Sequence, residues 1–221
     1  KLCGGDTAAK DALLTAACHL IQAGVEASDM EWGERFRMAE KALHWNINAE
    51  YSSSMGRFFD AVSALLGIRM ENSYEGECAV ALENKAAEAL EAKEEPLGPK
   101  LELREEDGCL IADRDEFIRH LAQYAGMWEN KNCRRLALGF HEAIAEMVLE
   151  AGLRVRKKNG ETQVVLGGGV FANVILQERC RELLEQSGFT VYVNEQLPGN
   201  DGGICLGQAW LGQYMTADEK K

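Results

Sequence analysis

The chain has 221 residues, of which 46% are hydrophobic and 27% are charged, and its formal net charge is −12 at pH 7. This length and composition predict one large domain or two small lobes with a buried core. The acidic balance argues against a nucleic acid partner, whose backbone requires clustered Lys and Arg. It does not exclude a nucleotide, because backbone N–H groups can hold a phosphate.

No apolar run approaches the length of a transmembrane helix, which is about 18 residues or more, so we expect no membrane partner. The seven cysteines are scattered and show no CxxC spacing, which disfavours a disulfide framework or a zinc site and favours a reduced, cytoplasmic protein. The chain starts without Met and in the middle of a pattern, so we expect an excised piece of a longer protein.

The N-terminal part of the chain is predicted to be helical. Asp6 or Thr7 is expected to cap the first helix, and a serine-rich stretch precedes the third. The segment 94–100 holds two of the three prolines and predicts a linker. Apolar residues recur at helical spacing in segments 6–24, 31–45, 52–68 and 77–93.

The C-terminal part mixes strands with helices. Residues 100–113 predict a hairpin that turns at Asp107-Gly108. The segment 162–198 has the order strand, glycine-rich turn, helix and strand, which predicts a βαβ unit with parallel strands. Further helices are expected at about 113–126, 130–151 and 201–215.

These patterns predict an α/β fold with a parallel βαβ core and a large helical portion. We expect the chain to be organised in segments that all belong to one domain. They are a helical segment 1–50, a helical segment 51–100 with a nucleotide-facing loop, and an α/β lobe 101–221.

The stretch "VVLGGGVFAN" is the first candidate site. Gly167, Gly168 and Gly169 follow a strand and allow a ligand close to the backbone, and the helix is expected to open near Val170. Asn173, in the first turn, would offer an amide at the mouth of the site. A tight turn between strand and helix that binds no ligand explains the pattern equally well.

The stretch "LPGNDGGICLGQ" is the second candidate. Asp201 begins a helix after the second strand of the unit, and parallel strands deliver both loops to the same edge of the sheet, where ligands collect. Asp201 is a candidate metal ligand, although Asp is also a preferred helix cap. The chain has no His-x-x-x-His to complete a metal site.

Polar residues on two further helices have both a functional and a structural interpretation. Ser54 at a serine-rich helix start could help to cradle an anion, or it could be a plain cap. Asp60 borders the apolar face of that helix and could be a surface carboxylate. His141 lies on an apolar helix face, where a lone histidine is usually a core residue, and it would be catalytic only if it faced the glycine loop.

Several motifs occur together in a specific order, namely "SSSMGRFFDAVSALLG…YEG", "FHEAIAEM", "LGGGVFAN" and "NDGGICLGQAW". In this combination the chain resembles the HypF carbamoyltransferases, the maturation factors of nickel–iron hydrogenases, over about residues 3–214. The resemblance implies the second lobe of an actin/hexokinase-like (ASKHA) fold.

The resemblance also implies roles for individual residues. Asp201 matches a metal-ligating aspartate, and His141 lies in a family-like helix and stays a catalytic candidate without an assigned role. Ser54 belongs to the first motif and is a nucleotide-binding candidate. The other implied nucleotide-binding residues are Gly167, Gly168, Gly169, Asn173, Asp60, Glu75 and Gly76.

The implied activity is the transfer of a carbamoyl group from carbamoyl-adenylate to the C-terminal cysteine thiol of a HypE-like partner. The adenylate would be made from carbamoyl phosphate and ATP elsewhere in the full protein. A paired-histidine metal motif is missing, and the zinc-binding domain would also precede residue 1, so zinc is expected only there. We therefore expect the isolated chain to bind nucleotide and a divalent metal weakly and to be inactive.

Two alternatives stay open. The chain could belong to a tRNA threonylcarbamoyl- or small-molecule O-carbamoyltransferase of the same superfamily, although its acidic balance counts against tRNA contact. It could also be a non-catalytic lobe that docks a partner protein or binds a nucleotide.

Overall fold

A computed structural model describes residues 1–26, 33–124 and 132–218. The helices are α1 (Ala12–Gln22), α2 (Gly33–His44), α3 (Met55–Leu65), α4 (Glu77–Glu91), α5 (Asp115–Ala122), α6 (Cys133–Asn159), α7 (Val174–Gln186) and α8 (Ile204–Asp218). The strands are β1 (Leu2–Cys3), β2 (Ala49–Glu50), β3 (Glu102–Glu106), β4 (Cys109–Asp113), β5 (Gln163–Leu166) and β6 (Thr190–Val193).

The fold is α/β with a large helical portion, as the sequence predicts. β5 and β6 pair in parallel, with Gln163 opposite Thr190 and Leu166 opposite Val193, and α7 connects them. β3 and β4 form the predicted antiparallel hairpin. Its turn residues Asp107 and Gly108 both have positive φ, 50° and 79°, the conformation that a two-residue hairpin turn requires.

The start of the first helix differs from the prediction. Residues Gly5–Ala9 form a separate 3-10 turn, in which the Thr7 hydroxyl donates to the Gly4 carbonyl oxygen. Asp11 is the cap of α1, because its carboxylate accepts a hydrogen bond from Leu14 N at 2.8 Å. The predicted cap at Asp6 or Thr7 is wrong, since a second capping carboxylate lies one turn further along the chain.

The long helix α6 also extends beyond the predicted end at residue 151. It continues through Gly152 to Asn159 and ends where Gly160 adopts a left-handed conformation with φ 82°. Three cationic residues in its last turn, Arg156, Lys157 and Lys158, interact favourably with the negative end of the helix dipole. The predicted start at residue 130 lies outside the described residues.

The core contains a set of aromatic rings carried by α3, α5 and α6. The ring of Phe140 on α6 lies 4.7 Å from that of Phe59, 5.3 Å from that of Phe58 and 5.6 Å from that of Phe117, measured between centroids. These tilted and edge-on contacts add about 0.5–1.5 kcal/mol per pair beyond the buried area. The buried residues form one hydrophobic cluster that includes members from all three predicted segments.

Among the described helices, none combines the length and the apolar composition needed to cross a membrane. The seven cysteines are all free.

The linker after α4 packs directly on the backbone of α6 at Gly139. Leu97 N donates to the Arg135 carbonyl oxygen at 3.0 Å, which brings the linker against the helix. A Cβ atom added at Gly139 would lie 2.1 Å from the carbonyl oxygen of Leu97. The position therefore admits only glycine without a backbone shift.

A Gly139→Ala substitution is expected to destabilise the protein by about 1–3 kcal/mol or more, because the linker backbone must move away from α6. Gly152 on the same helix is the matched control, since a Cβ atom there would lie 3.4 Å from side-chain atoms of Leu184 and Phe189. Gly152→Ala is expected to stabilise α6 or to leave it unchanged, because alanine favours a helix by about 1 kcal/mol. Urea unfolding of both variants measures the difference, and equal midpoints would contradict the close approach at Gly139.

Candidate nucleotide-binding site

Two loops meet at the carboxyl ends of the parallel strands. Gly168, after β5, donates its backbone N–H to the carbonyl oxygen of Gly199, after β6, at 2.6 Å. Between them lies a hollow of about 210 Å³. It is lined by Leu166, Gly167, Gly168, Phe171, Ala172, Gln177, Asn194, Leu197, Pro198, Gly199 and Asn200. The structure thus brings the two candidate loops together, as the βαβ pattern predicts.

The glycine loop is open on its outer side. A Cβ atom added at Gly167, Gly168 or Gly169 would meet no described atom within 4 Å. Gly168 has φ 97° and ψ 167°, a conformation that only glycine adopts without strain. The loop therefore offers bare backbone to a ligand, and Gly168 is required by conformation and not by crowding.

The helix after this loop begins later than the sequence predicts. A short 3-10 turn, Gly169–Ala172, precedes α7, so the predicted start near Val170 is wrong. Asn173 is the cap of α7, because its Oδ1 atom accepts a hydrogen bond from Leu176 N at 2.9 Å. The residue is 8% exposed and its Nδ2 atom donates to His141, so the amide points inward and not to the mouth of the site.

A carboxylate from another helix takes the remaining free N–H groups of α7. Glu83 on α4 accepts hydrogen bonds from Val174 N at 2.7 Å and from Ile175 N at 3.4 Å. The start of this helix is therefore occupied by an anion of the protein itself. A phosphate group would have to bind at the glycine loop itself, because Glu83 would repel it from the helix end.

His141 lies behind the loop and not in front of it. The residue is 1% exposed, and its Nδ1 atom lies 2.8 Å from the Ala137 carbonyl oxygen. A carbonyl oxygen only accepts, so Nδ1 carries the proton and Nε2 accepts from Asn173 Nδ2 at 2.9 Å. Burial lowers the pKa of His141 to about 4. Both ring nitrogens are engaged within the chain, which leaves neither to act on a substrate.

Asp201 is free of the capping role that the sequence allowed. Asn200 is the cap of the 3-10 turn Asp201–Gly203, with its Oδ1 atom accepting from Gly202 N at 3.0 Å. The carboxylate of Asp201 is exposed and has no hydrogen bond or ion pair with another described residue. Gly203 keeps the turn tight, since a Cβ atom there would lie 2.6 Å from the Pro198 carbonyl oxygen.

The described part of the chain contains no group of three or more His, Cys, Asp or Glu residues that could hold a metal ion. Asp201 follows directly after Asn200, which lines the hollow. It can therefore supply one ligand to a cation at this edge, but the other ligands would have to come from a bound molecule or from other parts of a longer protein.

Asp60 is enclosed in the interior and does not line this hollow. Its side chain is 1% exposed and its Oδ2 atom lies 2.9 Å from Arg57 Nη2. Burial raises the pKa of Asp60, and the nearby Arg57 and Asn72 only partly oppose this. The surface-carboxylate interpretation of the sequence is wrong, because Asp60 lies on the buried side of α3.

The other candidates lie apart from the glycine hollow. Ser54 caps α3, with its hydroxyl accepting from Arg57 N at 3.4 Å, and it lines a different groove of about 790 Å³ beside the β3–β4 hairpin. Gly76 precedes α4 with φ 83°, and the side chain of Glu75 is exposed.

Sequence reasoning missed two residues of the site. Glu83 lies in an Ala/Glu-rich helix, and nothing in that pattern singles it out from its neighbours. Asn200 did carry a signal, because Asn is as good a helix cap as the Asp that follows it.

Comparisons with known proteins identify the family of this chain. Residues 1–208 match the family described as the carbamoyltransferase Kae1-like domain, second subdomain. The chain is 33% identical to carbamoyltransferase HypF2 of Cupriavidus necator, over 94% of this chain and 28% of that protein. It is 34% identical to carbamoyltransferase HypF of Rhodobacter capsulatus, over 94% of this chain and 26% of that protein.

A solved structure, full-length HypF in a phosphate- and nucleotide-bound form, superposes with a TM-score of 0.80 and 33% identity. The match covers 97% of this chain and 28% of that one. The chain belongs to the Kae1-like carbamoyltransferase domain family of HypF proteins, as its second subdomain. The chain spans 28% of the length of the first of these two relatives and 26% of the length of the second.

The buried His141 predicts a specific pH dependence of stability. Its folded pKa of about 4 lies below the ordinary value of 6.5, so its contribution is present above pH 6.5 and is lost as the pH falls toward 4. The loss is on the order of 3 kcal/mol. Urea unfolding of the wild type and of His141→Gln at pH 7 and pH 4.5 measures it. The variant should lose less stability over this interval, and an identical loss would contradict the prediction.

Proposed function

We propose that this chain is the nucleotide-holding subdomain of a carbamoyltransferase that acts in nickel–iron hydrogenase maturation. The observation that carries the proposal is the meeting of the open glycine loop with the turn that bears Asp201, joined by the bond from Gly168 to Gly199. Membership of the HypF family supports the reaction class. The substrate is carbamoyl-adenylate, made from carbamoyl phosphate and ATP in other parts of the full protein.

The task of this chain is to bind and orient the adenylate. The bare backbone of Gly167 to Gly169 can approach phosphate oxygens closely and donate N–H groups to them. Positioning of this kind supplies much of the rate in group transfer, because it removes the entropy cost of bringing the reactants together. Glu75 and Gly76 remain candidates for the ribose end of the ligand and Ser54 for another nucleotide contact, although the described residues do not place them in the glycine hollow. Asp60 is enclosed in the interior in this structure and is not accessible to a ligand.

Asp201 is proposed as one ligand of a divalent ion. Such an ion, when bound with phosphate oxygens, polarises the leaving group. A single exposed carboxylate holds a cation weakly, so we expect the isolated chain to bind the metal only together with the nucleotide and not to turn over.

The acceptor is the C-terminal cysteine thiol of a HypE-like partner. The thiolate sulfur forms a bond to the carbamoyl carbon, the bond from that carbon to the phosphate oxygen breaks, and AMP leaves with the electron pair. The thiol proton passes to water as the thiolate forms, because both nitrogens of His141 are engaged and the described residues give no other histidine at the glycine loop. The scattered cysteines, none of them in a CxxC spacing, support a reducing, cytoplasmic setting.

A docking function is the second candidate, and α8 supports it. Ile204, Leu206 and Leu211 on this helix are 53%, 52% and 63% exposed. Several large apolar side chains on one exposed helix are typical of an interaction surface. The acidic balance of the chain continues to disfavour a tRNA substrate at this lobe.

Titration calorimetry with ATP and Mg²⁺ tests the proposed site. Asp201→Asn is expected to weaken the Mg²⁺-dependent part of ATP binding by about tenfold, because the loss of one charge-assisted ligand costs about 1.5 kcal/mol or more. Glu161→Gln is the matched control, since this exposed residue lies before β5, at the opposite end of the strand. Equal affinities for Asp201→Asn and the wild type would remove the metal role of Asp201, and a wild type without ATP binding would remove the nucleotide site.

A further inference from the structure

A continuous set of hydrogen bonds behind the glycine loop links Ala137, His141, Asn173 and Leu176. His141 donates from Nδ1 to Ala137 O at 2.8 Å and accepts at Nε2 from Asn173 Nδ2 at 2.9 Å. Asn173 accepts at Oδ1 from Leu176 N at 2.9 Å. Each donor faces an acceptor in only one arrangement, because flipping the Asn173 amide would set its NH₂ group against a backbone N–H.

The same arrangement requires a neutral ring. A protonated His141 would carry a proton on Nε2, which would face the NH₂ group of Asn173 and break the bond. The rings of Phe59 on α3 and Phe140 on α6 pack against His141 with centroids 5.5 and 5.9 Å away, and they offer no charge to stabilise an imidazolium. The environment therefore holds the imidazole in the Nδ1–H form.

Asn173 is the residue at which the glycine loop ends and α7 begins. Its backbone N donates to the Val170 carbonyl oxygen at 3.1 Å, which closes the 3-10 turn that begins at the third glycine, Gly169. On the other side of the helix start, Glu83 holds Val174 N at 2.7 Å. The end of the loop is thus fastened from α6 and from α4, while the glycines stay open on their outer side.

We propose that His141 is a positioning residue, which fixes the conformation of the glycine loop through its hydrogen bond to Asn173 and so prepares the loop for the nucleotide. It touches no substrate. This inference rests on the proposed function for its nucleotide, but the positioning itself concerns only the loop and α7. It gives Asn173 a role inside the protein in place of the ligand contact that the family resemblance implies.

Two substitutions at residue 141 separate this role from general stability. His141→Gln places an amide oxygen near the position of Nε2, which keeps an acceptor for Asn173 and loses the bond to Ala137. His141→Asn places an amide nitrogen near the position of Nδ1, which keeps the bond to Ala137 and loses the acceptor. Asn173→Ser breaks the same contact from the other side while serine still caps α7.

The experiment is NMR on the ¹⁵N-labelled full chain, with amide hydrogen exchange of residues 167–170 and a titration with MgATP. His141→Asn and Asn173→Ser should each speed exchange in the loop by about tenfold and weaken MgATP binding by a similar factor, equivalent to about 1.4 kcal/mol. His141→Gln should stay within about twofold of the wild type in both measurements, although it also loses one hydrogen bond.

Three results would overturn the inference. They are an Nε2–H tautomer in the wild type, equal loop exchange in all three variants, and a loop unchanged in Asn173→Ser. If His141→Asn does not fold, the comparison of Asn173→Ser with His141→Gln decides. If the wild type does not bind MgATP, the proposed function fails, while the tautomer and the exchange rates still test the positioning role.

Discussion

The first turn of α7 imposes a constraint that organises much of the site. The opening N–H groups of a helix have no partner within the helix, and they must find one elsewhere when they are shielded from water. Here Asn173 satisfies Leu176, and Glu83 from α4 satisfies Val174 and Ile175. The Glu83 bonds fix α7 against α4, and the bond from Asn173 Nδ2 to His141 fixes it against α6. The glycine loop in front of the helix is left with free backbone groups.

In this arrangement some polar groups hold the helix in place, and others stay open to a ligand. Asn173 and Glu83 both have polar side chains near the glycine loop, yet each is engaged by the start of α7. The groups that stay open to a ligand are the backbone of the glycine loop and the carboxylate of Asp201. Backbone dipoles of this kind can bind an anionic group in an acidic chain without a cluster of Lys and Arg, which is the basis of the proposed nucleotide site.

The aromatic core restricts the movement of His141, which supports the glycine loop on its buried side. Phe59 and Phe140 pack against each other and against His141, so the histidine has little freedom to move. The backbone contact between Leu97 and Gly139 lies two residues before His141 on the same helix. The packing of α6 in the core and the conformation of the glycine loop therefore depend on each other.

The sequence by itself determined the parallel βαβ unit, the Asp107-Gly108 hairpin, most helices and the meeting of the two loops, because each depends on local patterns or on the direction of parallel strands. It also determined the family, through several motifs in one order. The prediction of caps and helix ends was less accurate, because two neighbouring residues can each cap the same helix start. Asp11 takes this role instead of Asp6, and Asn200 takes it instead of Asp201.

Only the tertiary structure decided which polar side chains are engaged within the protein and which stay exposed. Glu83 and Val174 are 91 residues apart in sequence, and His141 and Asn173 are 32 apart. Asp60 is buried because α3 turns that side toward the core. Spacing along a chain defines the faces of a helix, but the direction of a face, and the partner that a side chain finds there, depend on how the helices pack.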